Sequence, residues 1–123
     1  MNNCIFIGRF TRDPELLTVK TGETGRETNV VNFTLAVTRK FKKRDGELNK
    51  QVEYLLFEAW DSGADVIVRH FRKDDPIIVY ASARNNQFET SKGDKISQVV
   101  FRVERFEFPS NSGLGVGTRP EDD

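Results

Sequence analysis

Cysteine and histidine are nearly absent from this chain: Cys4 and His70 each stand alone. One cysteine allows no internal disulfide, and one Cys with one His assembles no zinc-type site. No apolar run approaches the roughly 20 residues that span a bilayer as a helix, so no membrane role is expected. Met1 to Phe10 lacks the layout of a secretory signal, which places the chain in a reducing compartment. No glycine-rich phosphate loop, HxE or CxxC spacing occurs. The Asn32-Phe33-Thr34 sequon has no meaning without a secretory route. A lone histidine on a helix is far more often a surface or packing residue than a base. Neither catalysis nor a cofactor nor a metal is therefore expected. Net charge is missing as well, because 19 Lys and Arg balance 19 Asp and Glu.

The distribution of charge is less even. Arg39, Lys40, Lys42, Lys43, Arg44 and Lys50 face only Asp45 and Glu47 within one short stretch, and the chain ends on Glu121, Asp122 and Asp123. A basic body and an acidic end fit a nucleic-acid partner, or merely a solvated loop and a solubilising tail. With 123 residues, 37% of them hydrophobic, one globular domain is expected over 1–108. Residues 109–123 are rich in Gly, Ser and Pro and cannot bury enough surface to order themselves, which predicts a flexible linker and tail.

Apolar periodicity divides the domain. Cys4–Gly8 reads as a strand that Leu16–Val19 resumes beyond the Asp13-Pro14 turn. Val31, Phe33, Leu35 and Val37 alternate with polar residues, as a half-buried strand does. Leu55, Phe57 and Ala59 share one face of the next strand, with Tyr54, Leu56, Glu58 and Trp60 on the other. Ala64, Ile67, Val68 and Phe71 then follow helical spacing, with Asp61 or Ser62 as N-cap and Lys73 to Pro76 as the stop. Ile77–Arg84 and Ser97–Phe108 are two more strands, and the broken parity near Glu104 predicts a bulge. This predicts an all-β class, with five short strands and one helix between the third and fourth. That is the order of the OB-fold, a small Greek-key barrel, although other small mixed or all-β folds share it.

Several aromatic side chains do not fit a core. Phe41 lies inside the run Arg39-Lys40-Phe41-Lys42-Lys43-Arg44, and burying it would drag charge out of water. Phe88 sits in the polar stretch Asn85–Thr90. Tyr54 and Trp60 stand opposite the apolar face of their strand, though Trp60 equally fits the core. Rings beside cations suit unpaired nucleic acid, since any base can stack and phosphates take the charge.

Gly8-Arg9-Phe10-Thr11-Arg12-Asp13-Pro14-Glu15-Leu16 resembles a segment of bacterial-type single-stranded DNA-binding proteins. Asn32-Phe33-Thr34-Leu35-Ala36-Val37 resembles one of their strands, and Phe41–Glu47 the loop after it. The resemblance runs from Met1 to Phe108. It implies an OB-fold, homotetramers (dimers in some members), and sequence-independent coating of single strands in DNA replication, recombination and repair. It also implies a cytoplasmic, nucleoid-associated protein, or an organellar or phage counterpart. The positions matching the family's stacking residues are Phe41, Tyr54, Trp60 and Phe88. Expected phosphate contacts are Arg9, Arg12, Arg39, Lys40, Lys42, Lys43, Arg44, Arg72, Lys73 and Arg84. The tail departs from the pattern: Glu121, Asp122 and Asp123 supply acid without the terminal Phe through which such tails recruit replication or repair proteins. A protein-binding OB module and an RNA-binding OB domain are the rival readings.

Overall fold

A computed structural model describes residues 1–109, apart from residue 24 and the side chain of Thr21. The expected tail, with its acidic residues 121–123, lies outside the described residues. The elements in chain order are β1 (Cys4–Phe10), β2 (Leu16–Thr21), β3 (Arg26–Lys42), β4 (Leu48–Trp60), α1 (Asp61–His70), β5 (Pro76–Glu89) and β6 (Lys95–Glu107). Five strands close a ring in the order β1-β5-β6-β4-β3, with β3 returning to β1; β2 only flanks β3. The helix stands between the third and fourth ring strands, as the sequence predicts. The resumed strand at Leu16 is a separate element outside the ring.

Closure depends on one small residue. β1 meets β3 at Arg9↔Ala36 and Phe10↔Leu35. A Cβ on Gly8 would stand 3.0 Å from both the Ala36 carbonyl oxygen and the Leu35 Cβ. Only glycine lets the two strands approach this closely.

Strand alternation fills the interior. Phe33 pairs with Phe57, Leu35 with Leu55 and Val31 with Ala59. Phe57 is 1% exposed. The Phe33 and Phe57 rings stack at 5.5 Å, and Phe10, Phe6 and Phe101 continue the contacts on either side. Phe71, Phe106 and Phe108 join at the helix end. On β1, Phe6 points inward while Ile5 and Ile7 stay exposed.

α1 buries Ala64 and Ile67. Its cap differs from expectation: Trp60 occupies the N-cap position in an extended conformation, without a side-chain cap. Asp61 instead turns the chain at φ 57°. At the other end the Arg72 guanidinium donates to the carbonyls of Val68 and Phe71, both at 2.8 Å, and satisfies the last turn. The predicted bulge is present: Tyr80 pairs with Arg105 and Ala81 with Val103, so Glu104 is the extra residue. Its carboxylate accepts from Ser82 Oγ at 2.9 Å.

Replacing Phe57 by Ala removes the centre of this ring network and is expected to cost about 3–5 kcal/mol of stability in urea unfolding. A loss under about 1 kcal/mol would mean that the network does not hold the barrel together.

Candidate nucleic-acid interface

Beyond the barrel, β3–β4 and β5–β6 continue as two exposed hairpin arms. β4 and β6 pair in parallel at Phe57↔Phe101 and Glu58↔Arg102. Because they run parallel, both arm tips leave the barrel at the same end. The tips are built alike. Gly46 at φ 86° donates to the Lys43 carbonyl, and Gly93 at φ 88° donates to that of Thr90. Each tip thus turns on a glycine in the left-handed region.

The arms absorb two segments that the sequence reads as loops. Phe41 lies on β3, opposite Asn49. Phe88 lies on β5, opposite Ile96. Their polar neighbours form strand because each has a cross-strand partner, not because a face is buried.

The register that points Phe33 and Phe57 inward points Asn32, Thr34, Leu56, Glu58 and Trp60 outward. Val100 and Arg102 on β6, with Arg84, Asn86 and Phe88 on β5, share this outer side. Tyr54 is 67% exposed and Phe88 45% exposed. Between the arms lies a depression of about 240 Å³ lined by Arg12, Asn32, Thr34, Leu56, Asn86, Gln98 and Val100. Arg12 and Asn32 also border a second hollow of about 320 Å³ over Asp13, Pro14 and Glu15. The side chains of Asn32, Asn86 and Gln98 make no hydrogen bond among the described residues.

Trp60 is half-buried, and its Nε1 is buried without a partner among the described residues. The Arg102 guanidinium covers the ring at 5.3 Å and is ion-paired to Glu58, Nε to Oε1, at 3.1 Å. Neither Arg102 nor Glu58 is among the residues singled out from the sequence. Parity turns Arg102 outward, since Phe101 and Val103 face the core, but only the β4–β6 pairing puts it beside Trp60.

The predicted cations fall into groups. Lys40 stands directly opposite Lys50 on the side of the β3–β4 ribbon that carries Tyr54, and Lys42 follows on that side. Like charges paired across strands destabilise a ribbon unless an anion lies near. Lys43 and Arg44 are exposed at the tip. Arg84 and Arg12 flank the depression. Arg39 and Phe41 occupy the reverse side of the ribbon, with the guanidinium 5.1 Å from the ring centre and Nη2 donating to Gln51 at 2.9 Å. Arg9, Arg72 and Lys73 gather instead at the helix end. There Arg9 donates to the Asp74 carbonyl, Arg72 to the helix carbonyls, and the Lys73 backbone to Asp13. The structure thus brings Tyr54, Trp60 and Phe88 onto one cationic face. Phe41 lies across the ribbon from them, and three of the cations are remote.

Comparison with known proteins agrees with this architecture. A single-stranded DNA-binding protein of Clostridium perfringens is 30% identical over 125 residues, covering 95% of this chain and 77% of that protein. Another, from Fusobacterium nucleatum, is 32% identical over 108 residues, covering 88% of this chain and 66% of that protein. The solved structure of a Plasmodium falciparum SSB in complex with ssDNA superposes with a TM-score of 0.73 at 19% identity, covering 87% of this chain and 91% of that one, so the fold is shared. The model of the single-strand binding protein family matches residues 1–109, and the chain belongs to that family.

Proposed function

We propose that this protein coats single-stranded DNA without reading its sequence, in DNA replication, recombination and repair, and that it acts by binding rather than by catalysis. The observation that carries the reading is Tyr54. It is a large ring, 67% exposed, on the same side of the β3–β4 ribbon as Lys40, Lys42 and Lys50, which stand farther toward the tip. Folding does not bury that ring. A base stacked on it would, with the cations taking the adjacent phosphates.

In this reading Tyr54, Trp60 and Phe88 receive bases along the outer face. Phe41 and Arg39 take the strand where it passes over the edge of the β3–β4 arm. Arg12, Lys40, Lys42, Lys43, Arg44 and Arg84 are the principal phosphate contacts. Arg9, Arg72 and Lys73 act only if the strand wraps as far as the helix end.

The oligomer belongs to the same proposal. Ile5 and Ile7, 63% and 62% exposed, pair with Tyr80 and Ile78 across β1–β5 and form an apolar outer strip. Covering that strip with a second copy supports a homotetramer, or a dimer, in which one strand passes over several faces. The setting is the cytoplasm and its nucleoid, or an organellar or phage equivalent.

Tyr54→Ala and Phe88→Ala are each expected to weaken oligo-dT binding by about 1–3 kcal/mol, measured by anisotropy. Undiminished affinity in both, and in the double variant, would remove the stacking assignment. Log affinity should fall linearly with log salt, by about 0.7 for each phosphate neutralised; a flat titration would exclude the cationic face. An oligo-U competitor should bind no more tightly than oligo-dT, since a site built for RNA would use the 2′-hydroxyl. Ile7→Glu should lower the particle mass in light scattering, and an unchanged mass would clear the β1 strip of any role in assembly.

A further inference from the structure

The face proposed to receive a polyanion carries a carboxylate at its centre. Glu58 lies on β4 between Leu56 and Trp60, with all three turned outward. A bare carboxylate there would repel every phosphate that approached. It is not bare, because Arg102 Nε donates to Glu58 Oε1 at 3.1 Å. The Glu58 side chain is 18% exposed and that of Arg102 39%. The terminal guanidinium nitrogens of Arg102 make no hydrogen bond among the described residues. The same guanidinium lies 5.3 Å over the Trp60 ring. A base approaching Trp60 on that side therefore meets the guanidinium as well as the ring. The guanidinium is planar, weakly hydrated and itself able to stack on bases.

We infer that Arg102 is a phosphate- and base-contacting residue of this face, positioned by Glu58, and that the Glu58 charge holds down the affinity for single strands. The inference rests on the proposed function of the same face. The hydrogen bond to Nε holds the guanidinium against Glu58 beside Trp60 and leaves the two terminal nitrogens available to a ligand. A phosphate oxygen there accepts from a pre-oriented fork. Glu58, already paired to that fork, offsets part of the attraction.

Glu58→Gln separates the two effects, because a glutamine oxygen can still accept from Nε while the charge is gone. Oligo-dT should then bind about threefold to fivefold tighter, the range set by one partly exposed ion pair. The salt slope should steepen by up to about 0.7, as one more cation becomes available to phosphate. Arg102→Gln should weaken binding and flatten the slope by a similar amount. Arg102→Lys should keep the slope yet lose affinity, since an ammonium has no plane to stack. The double variant Glu58→Gln/Arg102→Gln should bind no tighter than the unaltered protein, because the gain requires the guanidinium. Thermal unfolding of each variant, together with emission from Trp60, the only tryptophan, separates lost binding from lost structure.

The inference is overturned if the unaltered protein binds oligo-dT, Tyr54→Ala weakens it, and Glu58→Gln and Arg102→Gln leave affinity and slope unchanged in folded protein. Binding by the double variant as tight as by Glu58→Gln alone overturns it too, since the guanidinium would then contribute nothing to the gain. Failure of the unaltered protein to bind overturns the proposed function, and this inference with it.

Discussion

The register between β3 and β4 is the constraint on which everything else depends. Phe33 stacks on Phe57 inside the barrel, and strand periodicity then leaves no choice for their neighbours. Asn32, Thr34, Leu56, Glu58 and Trp60 must face outward. A slip of one residue would put Glu58 into the core and Phe57 into water, an exchange no small barrel could survive. The packing of the interior therefore aims the binding face. Gly8 plays the matching part at the seam, where β1 must come close enough to β3 to complete the ring.

The two arms obey a different economy. From Thr38 on β3 and Arg84 on β5 outward, almost every side chain is exposed. These segments hold their shape by cross-strand hydrogen bonding and little else, so their local stability is low. Lys40 against Lys50 weakens the ribbon further. Such a feature makes sense when a polyanion supplies the missing countercharge, because the repulsion that burdens the free protein becomes attraction in the complex. The same low local stability lets the arms adjust to a flexible strand.

Much of this was legible in the sequence. The alternation through Val31–Val37, the apolar face Leu55–Phe57–Ala59, the helical stripe of α1 and the bulge at Glu104 are direct consequences of one buried face, which is what periodicity reports. Arg39–Lys42 and Asn85–Glu89 have no buried face, so their strand character was invisible until their partners were known. The helix start was misread for a related reason. Asp61 has the right chemistry for a cap, but the geometry of the β4–α1 corner places it at φ 57° and gives the cap position to Trp60. Exposed rings were found by their polar neighbours, whereas the side each ring occupies depends on register. That is why Phe41 lies across the ribbon from Tyr54. Arg102 escaped because its importance comes from Glu58 and Trp60, which are remote in sequence and adjacent only through the β4–β6 pairing.

Sequence independence can be traced to the same face. Reading a base requires a donor or acceptor held in a fixed direction, so that the wrong edge meets an unpaired group. Asn32, Asn86 and Gln98 line the depression as amides, each carrying both donors and an acceptor. Their side chains are anchored by no hydrogen bond among the described residues. An amide free to rotate can present either end to whatever edge arrives, so it satisfies every base and discriminates against none. The rings are equally tolerant, since each base has a π face. Specific recognition would demand neighbouring side chains that lock those amides by hydrogen bonds, as Glu58 locks Arg102. Arg102 is held in that way, and its proposed target is phosphate, the part of DNA that carries no sequence.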